Sequence, residues 1–382
     1  MQSPFQFGKI VTGISFTNRT EEINRLTSNF LNGVNTVMIS PRRWGKSSLI
    51  RQTANLVTES YNHVKFCYID LFAIRSENEF YSRLSEEAIK ATSTKVDEWI
   101  QVVKTFFKLV QPKITIGTDP LSEFNVSFDW KEAKKHPEEI LNLPELIAKG
   151  KGIKLVVCID EFQNMEFHEN PVVFQKLLRS IWQRHEHAIY VLYGSKRHMM
   201  MNIFSHPGSP FYKFGDLITL KKIAETYLIQ FIIDGFSRTD KVILPDYAKD
   251  IVQWTECHPY YSQQLAHLVW IRVDSKTTGH HLEHAFSDML DQNSMAYQQA
   301  IENLSTKQIN FLCALAEGIP ELSSKNALDN YQLGTSANVV KIKRTLGKKE
   351  LIDIINGRVD YVDPVFKRWI IREYNLNKYR GI

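Results

Sequence analysis

Four apolar runs separated by helical patterns limit this chain to a small set of folds. The runs are continuous rather than alternating, and they read NTVMIS (35–40), VKFCYIDLF (64–72), IKLVVCIDEF (153–162) and AIYVLYGS (188–195). A fifth run, DLITLKKI (216–223), is shorter and half polar. Parallel strands that are buried on both faces have this composition, and helices connect them. The predicted fold class is α/β, with helices covering a parallel sheet.

Composition indicates a globular protein without membrane spans. The 382 residues suffice for two or three domains, and 43% hydrophobic with 23% charged residues is ordinary for a globular protein. No run approaches the roughly 18 apolar residues of a membrane span, and no signal peptide is visible, so we expect a cytoplasmic protein without a membrane partner. The four cysteines are far apart and lack metal-ligand spacing, which favours reduced, buried thiols.

The stretch SPRRWGKSSLI (40–50) directly follows the first apolar run. It matches the phosphate-loop pattern G-x-x-x-x-G-K-[ST] at every element except the first, where serine replaces glycine. Because the first glycine serves mainly the turn out of the strand, we expect a working site. The predicted nucleotide-binding residues are Ser40, Pro41, Arg42, Arg43, Trp44, Gly45, Lys46, Ser47 and Ser48.

Three of these residues have distinct chemical roles. Gly45 lets the backbone approach phosphate oxygens, which the loop amides and the start of the next helix surround with donors. Lys46 is expected to neutralise the β- and γ-phosphates and to serve catalysis, and the Ser47 hydroxyl to bind Mg²⁺. The alternative is a basic strand-to-helix turn that matches by chance.

A second motif, LVVCIDEF (155–162), lies about 110 residues further on and ends in two carboxylates. A buried strand places Asp160 and Glu161 at the carboxyl edge of the sheet, where ligands bind in open α/β folds. We expect Asp160 to hold Mg²⁺ and Glu161 to act as the catalytic base on water. An exposed acidic strand end is the alternative for this motif alone. The pairing of the two motifs argues against chance in both.

A third run ends in Gly194 and Ser195, which places a hydroxyl near the predicted γ-phosphate position. Ser195 is therefore a candidate catalytic sensor residue. Lys196 and Arg197 follow it and are candidates for phosphate contact, although such residues are more often simply solvated.

These residues resemble the archaeal-type ATPase family of P-loop proteins, a branch of the AAA+/STAND class found in archaea and in bacteria such as Bacteroides. The resemblance covers nearly the whole chain and includes FTNRTEEINRL, SPRRWGKSSLI, VVCIDEFQNM, YGSKRHMM, HPYYSQQL and TSANVVKIKRTLGKKELID. It implies ATP and Mg²⁺ as ligands, and a sheet with one additional strand between the phosphate-loop strand and the acidic strand. It also implies a helical lid and a C-terminal winged helix.

The resemblance suggests further site residues. By matching position, His258 and Pro259 face the adenine or ribose, and the segment Asn18–Arg19 lies near the base; from the residues alone, His258 and Pro259 are equally a structural helix start. Family members often carry an arginine in the stretch PFYKFGD, where this chain has Lys213. Lysine keeps the charge but lacks the planar fork that stabilises a transferring phosphoryl group. Whether Lys213 or Arg197 acts on a neighbouring subunit is left open.

Patterns along the chain predict three domains. Residues 1–223 form the P-loop core with an insertion at about 77–149, residues 224–300 the helical lid, and residues 301–382 the winged helix. Within the insertion, residues 111–129 read as an exposed hairpin or loop. In the last domain, Asn356-Gly357 between two β-like runs predicts a second hairpin.

The C-terminal region carries most of the positive charge. Residues 301–382 hold 13 Lys/Arg against 9 Asp/Glu, in a chain of net charge +5. A helix over 336–349 is predicted to bury Val339, Ile342 and Leu346. It presents five basic residues that suit DNA phosphates: Lys341, Lys343, Arg344, Lys348 and Lys349. The alternatives are a solvated surface, a protein partner or self-association.

Three functions are compatible with these observations. The first is a Mg²⁺-dependent ATPase whose hydrolysis moves the lid and the winged helix. The second is a STAND-type nucleotide switch with slow turnover. The third is a DNA-binding regulator that uses its P-loop domain for assembly.

Overall fold

The computed structural model describes residues 2–93, 96–116, 124–167, 169–355 and 357–376. Its contacts divide the chain into two compact units. The sheet unit is Ile10–Lys221, and the helical unit consists of Met1–Lys9 and Lys222–Ile382. Each unit has its own hydrophobic core and is described separately.

A parallel sheet forms the centre of the sheet unit. Among the described residues it has five strands, all in the predicted apolar runs: β1 (Thr36–Ile39), β2 (Val64–Asp70), β5 (Lys154–Asp160), β6 (Ala188–Gly194) and β7 (Asp216–Thr219). Their order across the sheet is β2-β5-β6-β1-β7. Strand β6 therefore lies between β1 and β5 and pairs with both. This is the additional strand that the family resemblance implies.

Helices cover both faces of this sheet. They are α1 (Thr20–Asn32), α2 (Lys46–Ser60), α3 (Glu77–Thr92), α4 (Val96–Phe106), α5 (Trp130–Lys135), α6 (Pro137–Leu141), α7 (Leu143–Lys151), α8 (Pro171–Trp182) and α9 (Arg197–Ser205), with short 3₁₀ turns at Gly13–Ser15 and Phe162–Phe167. The apolar residues of α2 point into the core as predicted, since Leu49, Ile50, Ala54 and Val57 are all buried.

The insertion at 77–149 corrects one expectation. Strands β3 (Lys113–Ile116) and β4 (Phe124–Ser127) do pair as an antiparallel hairpin. One face of β4 is buried rather than exposed, because Phe124 and Val126 join the core of the sheet unit, where Phe124 contacts Trp99. The alternation of apolar and polar residues in FNVS is the pattern of such a half-buried strand.

The helical unit contains α10 (Glu225–Ser237), α11 (Pro245–Trp254), α12 (Pro259–Trp270), α13 (Gly279–Glu302), α14 (Thr306–Ala316), α15 (Lys325–Asn330), α16 (Ser336–Lys348) and α17 (Pro364–Glu373). Strands β8 (Ile352–Ile355) and β9 (Arg358–Tyr361) pair antiparallel before α17. The predicted turn falls between them, but its Asn356 lies outside the described residues. Val339, Ile342 and Leu346 are buried, as predicted for α16.

Two other expectations concern thiols and membranes. The thiols of Cys67, Cys158 and Cys313 are buried, and that of Cys257 is partly buried. Within the described ranges, none of the helices combines the length and apolarity that crossing a bilayer requires.

Candidate nucleotide site at the carboxyl edge of the sheet

The loop between β1 and α2 has the geometry of a phosphate loop. Gly45 has a positive φ of 88°, a conformation that glycine adopts without strain. Apart from Gly45 and its two neighbours in the chain, no described atom lies within 4 Å of where a Cβ at Gly45 would stand, so the space beside this residue is open. The helix begins at Lys46, whose buried ammonium donates to the Ser40 carbonyl at 3.4 Å.

Serine at position 40 fits into this loop without disturbing it. Ser40 is fully buried, and its hydroxyl donates to the carbonyl of Pro41 at 3.2 Å. The hydroxyl that serine adds at this position therefore forms its hydrogen bond within the loop itself. The Ser48 hydroxyl accepts the N–H of Val11 at 3.0 Å, which ties the preceding segment to α2. Arg42 and Arg43 are exposed, and Trp44 is half-buried.

The acid pair lies beside this loop. Strand β5 ends at Asp160, whose Oδ2 accepts the hydroxyl of Ser47 at 2.8 Å. Its Oδ1 accepts the backbone N–H of Glu161, also at 2.8 Å. Burial raises the pKa of the Asp160 carboxyl to about 6, against hydrogen bonding from Ser47 and the charge of Lys46. Two segments some 110 residues apart in sequence therefore meet at one edge of the sheet.

Glu161 and Ser195 are also in contact. Glu161 has a positive φ of 50°, which is uncommon outside glycine and turns the chain sharply at the strand end. Its Oε2 accepts the Ser195 hydroxyl at 2.9 Å, and the amide of Gln163 donates to the same oxygen. The structure thus brings together Ser47, Asp160, Glu161 and Ser195, all of which the sequence assigned to the site.

The remaining sequence-assigned residues have other recorded contacts or belong to the helical unit. Arg197 begins α9, and the ammonium of Lys213 stands over the ring of Tyr212 at 5.3 Å. His258 and Pro259 belong to the helical unit, where Pro259 begins α12 and the buried His258 ring accepts the N–H of Tyr261 at 3.5 Å. The structural role that the sequence allowed for His258 is therefore observed, and its nucleotide contact stays a prediction.

Two residues at this edge were not singled out from the sequence. Asp70 ends β2 and pairs in register with Asp160 across the two strands. The sequence signal was present, since both strands end in Ile-Asp. Gln163 lies within the IDEFQ motif but had no assigned role. Only the position of its amide, beside Glu161, shows what it contacts.

The cluster supplies the donor set that a Mg²⁺–triphosphate requires. A hydroxyl and a carboxylate in direct contact are oxygen ligands of the kind Mg²⁺ prefers. The buried ammonium of Lys46 and the first turn of α2 provide positive charge and N–H donors for phosphate oxygens. Ser47 and Asp160 could hold the metal, and the loop 40–48 the phosphates.

Comparisons with known proteins agree with this geometry. A family model described as "ATPase domain predominantly from Archaea" matches residues 16–265, which is more than half of the chain. The protein belongs to this ATPase family. It is a P-loop ATPase, and the predicted resemblance is confirmed. A second model, described as a probable winged helix domain, matches residues 295–372, which also confirms the C-terminal fold. The exact boundaries of the three predicted domains stay predictions.

Two solved structures share the ATPase fold. A Walker-type ATPase of Pyrococcus abyssi has a TM-score of 0.65 and 17% identity, over 93% of this chain and 96% of that chain. The ORC2 protein of Aeropyrum pernix, solved as ADPNP–ADP complexes, has a TM-score of 0.57 and 15% identity, over 94% and 96%. At such identities the likeness concerns the fold alone. A search of curated protein sequences gave no significant match.

Proposed function

We propose that this ATPase binds Mg²⁺–ATP at the carboxyl edge of its sheet and uses hydrolysis to change the arrangement of its lid and winged helix. The observation that carries the proposal is the contact between Ser47 and Asp160 at 2.8 Å, with Glu161 next in sequence. That contact joins a phosphate loop to an acidic strand end, which is the arrangement phosphoryl transfer uses.

Each residue then has a defined task. Lys46 holds the phosphate oxygens by charge, and the hydroxyl of Ser47 and the carboxylate of Asp160 hold the metal. Glu161 takes the proton of the attacking water, and the Ser195 hydroxyl fixes the orientation of that carboxylate. When bound, ATP supplies the transferable phosphoryl group and Mg²⁺ supplies neutralising charge.

Replacement of Glu161 by glutamine tests the proposal. Because an amide cannot accept the proton, we expect Glu161→Gln to lower kcat about 100-fold or more while ATP affinity changes little. Single-turnover hydrolysis and binding of a fluorescent ATP analogue measure the two quantities. Glu59→Gln, an exposed change near the end of α2, is the matched control. Hydrolysis by Glu161→Gln at the parent rate contradicts the assignment of the base.

The same measurements separate a working ATPase from a slow switch. A STAND-type switch keeps the base but retains nucleotide through a long cycle, so its steady-state rate is far below its single-turnover rate. If the two rates agree and both are at least about 1 s⁻¹, neither hydrolysis nor release of products is slow, and the switch alternative is excluded.

A second candidate function, contact with double-stranded DNA, is favoured by the surface of α16. Lys341, Arg344, Lys348 and Lys349 are exposed and Lys343 is partly exposed. In the described part of the chain, none of the five forms an ion pair with an acidic side chain. An uncompensated basic helix in a winged-helix domain suits a phosphate backbone.

Charge neutralisation tests this candidate. Changing Lys341, Lys343 and Arg344 to glutamine should weaken binding to a fluorescent duplex and reduce the salt slope by about 3. The control changes Lys131, Lys134 and Lys135 to glutamine and so removes the same charge from α5. Absence of any duplex binding in low salt leaves α16 a protein-facing or regulatory surface.

A further inference from the structure

Gln163 occupies a position that its surroundings define closely. It is 2% exposed and lies in the 3₁₀ turn Phe162–Phe167, directly after the acid pair. Its Nε2 donates to the Oε2 of Glu161. Its Oε1 is buried and has no hydrogen-bond partner among the described residues. Burying an amide whose oxygen is left unsatisfied costs free energy, so the contact with Glu161 is held at some expense to stability.

The chemistry of the two groups fixes the orientation of the amide. Carboxylate oxygens are acceptors only, and the amide oxygen is also an acceptor. If the amide were turned over, two acceptors would face each other in a buried site. Gln163 therefore presents its nitrogen to Glu161 because only that end forms a bond there.

Strand β6 makes room for this side chain at its last residue. A Cβ on Gly194 would stand 1.9 Å from the Oε1 of Gln163 and 2.8 Å from the sulfur of Met200. The backbone of Gly194 does not have a positive φ, so its conformation does not require glycine. The absence of a side chain at 194 instead serves the close approach of Gln163, since every other residue of β6 carries a buried side chain.

The bonds to Glu161 are directed to one oxygen. Within the described residues, the Ser195 hydroxyl, the Ser195 N–H and the Gln163 amide all reach Oε2, and none reaches Oε1. We infer that Gln163 is a positioning residue that, with Ser195, holds Oε2 so that Oε1 faces the water and takes its proton. This inference rests on the proposed role of Glu161 as the base.

Replacement of Gln163 by methionine removes the amide and keeps the length and flexibility of the side chain. We expect Gln163→Met to lower kcat about tenfold with little change in ATP affinity, because a displaced base loses catalysis without losing binding. Gln163→Glu should lower kcat further, since it sets a second carboxylate against the first. In a Glu161→Gln background, Gln163→Met should not lower kcat further, because the base that Gln163 positions is already absent. If the role of Gln163 were merely structural, its replacement would lower kcat in this background as well.

Substitution of Gly194 approaches the same contact from the other side. Gly194→Ala should lower both kcat and thermal stability, whereas Gly194→Ala with Gln163→Ala should recover stability and leave kcat low. If Glu161→Gln is inactive but Gln163→Met turns over at or above the parent rate, the positioning role is wrong and the proposed function stands. If Glu161→Gln itself hydrolyses at the parent rate, both fall. If the losses of kcat are additive in the variant that combines Glu161→Gln with Gln163→Met, the positioning role is also wrong.

Discussion

Partly buried carboxylates lie at both edges of the central sheet, but their hydrogen-bond partners and neighbouring charges differ. At the amino edge, Glu145 of α7 accepts the backbone N–H groups of His187 and Ala188 at 2.8 and 2.7 Å, as well as the His187 ring. At the carboxyl edge, Asp160 accepts one hydroxyl and one N–H and lies beside a second acid, Glu161. Glu145 thus accepts N–H groups at the start of β6, whereas Asp160 lies close to a like charge.

The pKa directions express this difference. Burial raises the pKa of Glu145, but the hydrogen bonds from Ala188 and His187 outweigh it and the pKa lies below its ordinary value. For Asp160, burial dominates, and the pKa rises to about 6. The surroundings of Glu145 therefore favour its charged form, whereas burial of Asp160 carries an electrostatic cost that the proposed Mg²⁺ would offset. Stability and function are separated to opposite ends of the same strands.

The largest expected effect is on nucleotide binding at the carboxyl edge. Lys46→Ala removes the buried ammonium of the phosphate loop, and we expect ATP affinity to fall by at least about 100-fold, or roughly 3 kcal/mol. Lys154→Ala is the matched control at the amino edge, where the ammonium donates to the Leu31 carbonyl. Isothermal titration with ATP measures both. Equal losses of affinity would show that the two edges do not differ in function.

The sequence predicts the arrangement of residues at the carboxyl edge but not at the amino edge. The motifs around Lys46 and Asp160 have fixed spacing relative to strand ends, so their meeting follows from parallel topology. The amino-edge caps depend on which helix packs under which strand, and Glu145 carries no local sign of its partners 42 and 43 residues away. Gly194 is a similar case, because glycine at this position leaves space for the side chain of Gln163 on a neighbouring segment.

The next effect concerns the stability of the amino edge. Glu145→Ala leaves the partly buried N–H groups of His187 and Ala188 without their acceptor, and we expect the free energy of unfolding to fall by about 2 kcal/mol. ATP affinity should stay unchanged. Urea titrations of Glu145→Ala and of Glu186→Ala, an exposed neighbour, provide the comparison. A variant as stable as the parent would show that solvent replaces these bonds.

The opposite sign is expected at the carboxyl edge. A carboxyl whose pKa is raised by folding contributes stability below its ordinary value of 3.8, and that contribution is lost as pH rises through about 6. Asp160→Asn removes the charge and keeps partners for Ser47 and Glu161. Without nucleotide, we expect it to stabilise the protein by about 2 kcal/mol at pH 8 and by almost nothing at pH 4. Thermal unfolding at the two pH values checks this, and stabilisation that is equal at both would exclude the charge as its cause.

The smallest effect is a pH dependence at the amino edge. His185 bridges the Tyr190 hydroxyl and the Asn142 side chain at 2.9 and 3.0 Å, and burial lowers its pKa from 6.5 to about 4. Because folding lowers this pKa, the neutral ring contributes stability that is complete above pH 6.5 and is lost as pH falls through about 4. Because the ring is only partly buried, solvent screens its charge and limits its contribution to the free energy of unfolding to about 2 kcal/mol.

His185→Gln keeps a polar side chain that does not titrate. Between pH 7 and pH 4 the parent should therefore lose about 2 kcal/mol more unfolding free energy than this variant, because only the parent must charge a buried ring. His63→Gln, at an exposed histidine, should follow the parent. If parent and His185→Gln fall in parallel, protonation of His185 is not opposed by burial.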